Sequence, residues 1–482
     1  MLAGCTRSSD DPGRPLEILT TSAAETLDPR YSTDAVGLRA TRLVHAGLFG
    51  IDRATLAPYP LVAKTYRFEG PQELHVTLRA GVRFHGGKEL DSGDVVATLA
   101  AFADPKVASR HARVVSAIAR AEAEGPLGVK IVLARPHATL LTDLELPVLR
   151  ADQAASPPAP DGTLDGLGPF AIARSEAGVI ELQPRATGVF PAPKHAVTLR
   201  AVRDENARAL RLHAGRADLV QNGFSPTLLP SFDRAGLQVV ARPSASLTYL
   251  VPRCDRGPMQ DTRVRRAVSL AVDRAMLASA LFAGHATPAS TLLPPGHWAR
   301  PHVPEAGPRD VEGARRLLRE AGAEGARVSL LVSTDRARKL MARVLAAELE
   351  EVGLSVEITS LELGTMLGRL GSGDFELAML QLPEVIEPNV LRVFLHGEFV
   401  PPAGSNRGRV RSPRLDALLD QGDAQHDEDA RKEIYAEVEA LVRQEALWIP
   451  LVHEDHVAVV SPRASAYAPD RDGRWGGLFD LP

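Results

Sequence analysis

Residues Leu74 to Pro105 read LHVTLRAGVRFHGGKELDSGDVVATLAAFADP, and this stretch decides the fold. Leu74, Val76 and Leu78 alternate with His75 and Thr77, the period-two pattern of a strand with one buried face. Gly81 and the pair Gly86-Gly87 permit the sharp reversals that follow. Asp91 then opens a helix, with Asp94 three places on as a capping-box partner near the positive helix end. Asp104-Pro105 stops it. A strand, a tight turn, an aromatic and a capped helix thus follow one another in a single compact unit.

The order of these residues resembles the signature of the family 5 extracellular solute-binding proteins, the oligopeptide- and dipeptide-binding components of ABC importers. That signature is roughly F-x-L-R-x-G-V-x-F-H-D-G-x-x-L-T-A-x-D-V. The chain keeps Leu78, Arg79, Gly81, Val82, Phe84, His85, Gly87, Leu90, Asp94 and Val95 in order. Working outward, Ala24–Arg30 (AETLDPR) resembles the family opening E-x-x-T-L-D-P. Leu56–Phe68 resembles P-x-L-A-x-x-W-x-F, with Tyr66 where tryptophan is usual. Gly166–Phe170 resembles G-T-G-P-Y, Asp204–Val220 the family's helix and G-x-x-D turn, and Tyr249–Gly284 its D-x-R-V-R-x-A-V-x-x-A-V-D-R block. Pro288–Trp298 resembles a G-x-x-P-x-P-P-G loop. The likeness runs from about Leu16 to the end of the chain.

The bulk numbers agree with such a protein. A chain of 482 residues suggests about three domains at roughly 150 residues each. The 44% hydrophobic and 24% charged fractions are those of a globular chain. A net charge of −4 carries no basic footprint for nucleic acid. Forty-nine arginines against seven lysines read as genomic composition before function. No run of about 18 apolar residues is present to span a bilayer. Two cysteines, Cys5 and Cys254, exclude a disulfide framework and paired-cysteine zinc sites. Leu2-Ala3-Gly4-Cys5 resembles a bacterial lipobox followed by a polar tether to Pro15, although the charged and apolar parts of a leader do not precede it.

Further along, the pattern predicts a strand at Leu16–Thr20 and a helix over Asp34–Leu48. It also predicts a loop at Ala154–Pro160, a strand at Val197–Val202 and one helix over Asp261–Ala283. Val328–Ser333, Arg336–Val352 and Ser355–Thr359 read as a β-α-β unit with a parallel pair. Asp310–Gly322 and Asp427–Gln444 read as helices, and Leu447–Val460 as a returning strand. The resemblance implies a two-lobed α/β fold of the periplasmic-binding-protein type II (cluster C-like), with mixed sheets and an extra inserted domain. The expected division is 1–15 lipobox and tether; 16–48, 162–253 and 449–482 for lobe I; 49–161 for the inserted domain; and 254–448 for lobe II.

The family closes two lobes on its ligand and grips a peptide's α-amino group with an acid in the segment W-x-A-D-Y-x-D/E-P. Here Gln381–Pro388 (QLPEVIEP) aligns with it, which implies Glu384 as the amine-binding acid, flanked by Gln381. Arg253 falls where the family carries a backbone-recognising asparagine, and a guanidinium there favours a carboxylate or another planar anion. Gly404–Pro413 (GSNRGRVRSP) resembles N-Y-S-x-Y-x-N-P, keeping Asn406 while Arg407 and Val410 replace tyrosines. Tyr249 and Trp298 are the candidate aromatic walls. Each has a plain structural counterpart: a loop glutamate, an Arg253 salt bridge to Glu384 or another acid, a solvated arginine loop, or ordinary ring packing.

Catalytic motifs do not stand. G-x-S-x-G and H-E-x-x-H are missing. Val82–Lys88 misses the first glycine of a phosphate loop, and Glu89 follows its lysine. His453 and His456 lie in a predicted strand, pointing to opposite faces, so one metal is not expected there. The implied protein is therefore a non-enzymatic, monomeric, extracytoplasmic lipoprotein without cofactor or metal. It would deliver a peptide or related small solute to an ABC permease. A sensory or degenerate lipoprotein of the same fold, and a hydrolase on a reworked binding fold, are the alternatives.

Overall fold

The structure, a computed structural model, describes residues 13–233, 236–303 and 307–482. Cys5 and the lipobox-like stretch lie outside the described residues. The chain divides into two compact units. The first contains residues up to Arg53, then Ala57–Arg242 and His456–Pro482. The second contains Ala54–Leu56 and Pro243–Asp455.

In the first unit, strand Leu16–Thr20 lies between two parallel neighbours, Val197–Ala201 and Leu219–Gln221. Val179–Pro184 and Phe170–Glu176 extend the sheet antiparallel on one side. Residues 458–460 pair antiparallel with Leu219–Gln221 on the other. A separate four-stranded antiparallel sheet joins Ala63–Phe68, Glu73–Leu78, Gly128–Leu133 and Ile118–Ala123. Leu74, Val76 and Leu78 are buried on one face of it, packed in a core with Val95, Leu99 and Phe102 of helix Ser92–Ala103. Both halves of the expected capping box are present: Asp91 accepts from Asp94 N, and Asp94 accepts from Asp91 N. The buried Asp94 carboxylate also takes Lys88 Nζ at 2.7 Å and Ala151 N at 2.8 Å. The lysine of the near-miss phosphate loop is thus bound to the helix cap. Gly81 and Gly87 turn the chain with φ of 76° and 90°, where a side chain would be strained.

The second unit is built on a mixed sheet. Its order is Ser355–Leu361, Arg327–Ser333, Leu377–Leu382, Leu247–Pro252 and then the first half of Ile449–Val460. The first three strands are parallel, and helix Arg336–Glu351 crosses from the second to the first of them, as the β-α-β reading predicts. Leu247–Pro252 runs antiparallel to Leu377–Leu382, from Leu247 opposite Leu382 to Pro252 opposite Leu377. Among the described residues no helix is long and apolar enough to cross a membrane. Cys254 is a free thiol, which burial pushes up to about 11.

The helix expected over Asp261–Ala283 is interrupted. Its first part ends at Ala271, and Val272 is extended at φ −88° and ψ 124°. Asp273 then caps a new turn by accepting from Met276 N at 2.9 Å, and a π-helical stretch covers Leu277–Leu281. An aspartate free to bond the backbone three residues ahead favours a start over a continuation. The apolar periodicity did not reveal the break because Val268, Ala271, Val272 and Leu277 enter the same core on both sides of it. The first helix, expected to Leu48, likewise stops at Val44, with His45 extended.

One buried acid joins two elements of the second unit. Glu439, on helix Glu428–Glu445, accepts from Leu292 N at 2.8 Å and Leu293 N at 2.9 Å. Burial outweighs these bonds and pushes its carboxyl up to about 7 from 4.5. The folded protein therefore holds a proton that the unfolded chain releases. The associated stability is complete below about pH 4.5 and is lost as pH rises through about 7. Glu439→Gln keeps an acceptor and removes the titration. Its melting temperature relative to the parent should rise between pH 5 and pH 8, by an amount corresponding to roughly 3 kcal/mol. A difference that does not change with pH would show that Glu439 is ionised throughout.

Candidate functional site

In open α/β sheets, ligand groups collect at the carboxyl ends of parallel strands, where backbone and loop side chains are left uncovered. In the second unit that rim is formed by Ser333, Leu361 and Leu382. The antiparallel partner adds its own beginning, so Thr248 lies opposite Gln381. Three polar side chains meet here. Arg338 Nη1 approaches Glu454 Oε1 at 2.5 Å and Thr248 Oγ1 at 3.2 Å, and Thr248 Oγ1 donates to Glu454 Oε1 at 2.5 Å. Arg338 and Glu454 are 15% and 19% exposed, so both charges are largely but not wholly withdrawn from water. Gln381 is exposed and Glu384 partly so, on the loop leaving Leu382. Val385 N donates to Ala245 O at 2.7 Å and ties that loop to the start of the neighbouring strand. The rim therefore offers a guanidinium and carboxylates within one small region, which suits a ligand carrying both an ammonium and a carboxylate.

Trp298 is connected to the Glu384 loop. His297 Nε2 donates to Ile386 O at 2.9 Å, while its Nδ1 accepts from Ala299 N at 3.1 Å. Glu387 Oε2 accepts from Arg431 Nη2 at 2.8 Å, and the Arg431 guanidinium lies 4.8 Å from the Trp298 ring centroid. The indole is partly buried, and among the described residues its Nε1 finds no hydrogen-bond partner. Gln381, Glu384 and Trp298 thus belong to one neighbourhood.

Arg253, Asn406 and Arg407 belong to another. Arg253 follows Pro252, whose partner is Leu377 at the start of the Gln381 strand. The six-residue pairing separates Arg253 from Glu384 by about 17 Å of strand. Arg253 instead pairs with Asp255, Nε to Oδ1 at 2.7 Å. Asn406 is fully buried and serves its own loop. Its amide donates to Leu395 O, His396 O and Val410 O at 3.2, 3.0 and 2.9 Å, and its oxygen accepts from Val410 N at 3.0 Å. Arg407 is partly exposed on the same loop. Tyr249 lies between the two ends of the strand. It is 1% exposed and stacks on Trp448 with centroids 4.0 Å apart, and burial pushes its hydroxyl well up.

Sequence reading did not find Thr248, Arg338 or Glu454. The available signal was positional: Arg338 opens the helix after a parallel strand, and Glu454 lies in the returning strand next to the histidines. His453 and His456 both lie in that strand; His453 Nδ1 donates to Ser246 O and His456 Nδ1 accepts from Asn222. Elsewhere, Glu69, Glu73 and His75 bring potential ligand atoms within 4.8 Å of one another. Arg67 and Lys130 already ion-pair with the two glutamates, at 3.0 and 2.7 Å.

Residues 57–386 match the model for bacterial extracellular solute-binding proteins, family 5 (middle), and the chain belongs to that family. Among relatives, it is 28% identical over 448 residues to a probable di/tripeptide-binding protein 5 of Pseudomonas aeruginosa, covering 85% of this chain and 82% of that one. It is 26% identical over 498 residues to the glutathione-binding protein GsiB of Escherichia coli K12, covering 97% and 93%. Among solved structures, NikA of Brucella suis, in complex with Fe(III)-EDTA, superposes with a TM-score of 0.86 at 22% identity over 96% of this chain and 99% of that one. CtaP of Listeria monocytogenes gives 0.86 at 21% identity over 97% and 99%. Family members are extracytoplasmic binding proteins that work with an ABC permease.

Asn406 provides a direct check on the loop. Asn406→Ala leaves three carbonyls and one N–H of the buried turn without that partner. It should lower unfolding free energy by about 3 kcal/mol in urea titration. An unchanged midpoint would show that the loop does not depend on it.

Proposed function

We propose that this protein captures a short peptide or a related zwitterionic solute at the Thr248–Arg338–Glu454 rim and delivers it to an ABC permease without chemical change. The observation that carries the reading is the presence of Arg338, Glu454 and the Glu384 loop at one end of one sheet. Glu384 would take the ligand's ammonium, Arg338 its carboxylate, and Trp298 would cover an apolar side chain. Gln381 is placed to hydrogen-bond the ligand backbone. The di/tripeptide- and glutathione-binding names of the relatives support this solute class. The chain would act as a monomer outside the cytoplasm, held by lipid on Cys5, with 49–161 as an inserted domain. A second reading, a sensory or degenerate binding protein, draws on the Arg338–Glu454 contact itself, because that pair occupies the groups a ligand would need.

Calorimetry with di- and tripeptides, their N-acetylated forms and their C-terminal amides separates these readings. Glu384→Gln should weaken a peptide with a free amine by about 2–5 kcal/mol and leave its acetylated form unaffected. Arg338→Gln should weaken free acids and spare the amides. Equal affinities for parent and Glu384→Gln would remove Glu384 from the site. No heat with any peptide, together with a bare mass in the native mass spectrum, would favour the sensory reading.

A further inference from the structure

The solute rim lies in the second unit; the first unit holds a cavity of its own, formed by one loop. The stretch 153–164 (QAASPPAPDGTL) curls around an open space of about 550 Å³, large enough for a small organic molecule. Pro157, Pro158, Pro160 and Leu164 line it, with Gln153, Asp161 and Thr163 as its polar members. The loop is pinned from within. Arg30 is fully buried and pairs with Asp28, Nη2 to Oδ2 at 2.6 Å. Its guanidinium also donates to Ala154 O at 3.2 Å, Ser156 O at 2.7 Å and Pro157 O at 3.0 Å. Asp28 Oδ2 accepts from Ala159 N at 2.9 Å, and Leu27 N donates to Pro160 O at 2.9 Å. Gly162 closes the loop at φ 78°, where a Cβ would run into Ile172 and Leu27. Backbone polar groups are thus drawn inward, while Pro157, Pro158 and Pro160 are all exposed. Proline has no N–H and a fixed φ, so this wall is aliphatic and set before any ligand arrives.

The polar members of the wall are still available. Gln153 Oε1 accepts from Asp165 N at 2.9 Å, which orients the amide and leaves Nε2 as a donor. Among the described residues Asp161 enters no ion pair and the Thr163 hydroxyl no hydrogen bond. Asp161 is the one charged residue on the wall. Neighbouring acids are already engaged: Asp28 with Arg30, and Asp152 and Asp165 with Arg150 at 2.8 and 3.1 Å. A proline surface beside an unpaired carboxylate complements a flat apolar body that carries an ammonium group. Aromatic faces are electron-rich and rest well on proline rings, and a carboxylate takes an ammonium in a charge-assisted bond. An anion of the same shape would be repelled by Asp161.

We propose that the 153–164 loop binds a small aromatic amine, its ring against Pro157, Pro158 and Pro160 and its ammonium on Asp161. The Gln153 amide and the Thr163 hydroxyl serve a polar substituent on the ring. This site does not rest on the peptide reading.

Titration of the methyl-labelled full chain with tyramine, 4-hydroxyphenylacetate and n-butylamine tests this. Tyramine should shift the Leu164 methyl resonances saturably. The acid keeps the ring and reverses the charge; the butylamine keeps the charge and lacks the ring. Each should bind at least about threefold more weakly than tyramine. Asp161→Asn should weaken tyramine by about the same factor. Asp161→Lys should turn the preference toward 4-hydroxyphenylacetate, a gain that loss of structure does not produce. Pro158→Ala, at an exposed position, should weaken tyramine and leave n-butylamine unchanged. Absence of a Leu164 shift, or equal binding of the three probes, would overturn the proposal. So would an unaltered preference in Asp161→Lys or full tyramine affinity in Pro158→Ala. Shifts at Leu382 in place of Leu164 would put the amine at the solute rim and overturn it as well.

Discussion

The antiparallel register between Leu247–Pro252 and Leu377–Leu382 governs the chemistry of the second unit. Because Leu247 faces Leu382 and Pro252 faces Leu377, the residues immediately after Leu382 lie at one end and those immediately after Pro252 at the other. A slip of one residue would turn Tyr249 and Leu250 to the wrong faces, and each is buried in a different core cluster. The register is thus held by apolar packing on both sides of the sheet. Glu384 and Arg253, each a plausible ligand residue by itself, cannot share one ligand group.

Loops at both ends are tied down by buried polar groups as well as by apolar contact. Glu439 holds the start of the loop that presents Trp298, His297 holds its far side to Ile386, and Asn406 closes the loop that carries Arg407. Each uses a side chain to satisfy backbone groups that a turn leaves open. The effect is to tie irregular segments to their neighbours at fixed points, which is what a binding group needs if its position is to be kept without a ligand.

Much of the fold could be read directly. Strand Leu16–Thr20, the capped helix after Asp91, and the β-α-β unit ending near Thr359 follow local rules, and the structure has them. Break points were harder. Val272 and Asp273 interrupt a helix whose apolar face continues without a gap, because core periodicity reports burial and not backbone continuity. The site was legible in part. Sequence reading could nominate Glu384 and Trp298, and their neighbourhood is now visible. Arg338, Thr248 and Glu454 are more than a hundred residues apart in the extreme, and only strand order brings them together. Arg253 and the arginine-rich loop were noticed separately; that they lie side by side depends on a tertiary contact, Cys254 N to Gly408 O, that no local pattern announces.

The chain path between the two units also constrains how the protein is made. The second unit is nearly continuous in sequence, from Pro243 to Asp455, whereas the first needs residues that follow it. Until Ala458–Val460 leave the ribosome, strand Leu219–Gln221 has an open hydrogen-bonding edge where those residues later pair. Synthesis therefore completes an internal module while the surrounding one still waits for its final strand, and exposed edges of this kind invite pairing with other chains. Truncation between Asp455 and Ala458 removes little mass but strands the older unit in that unfinished state.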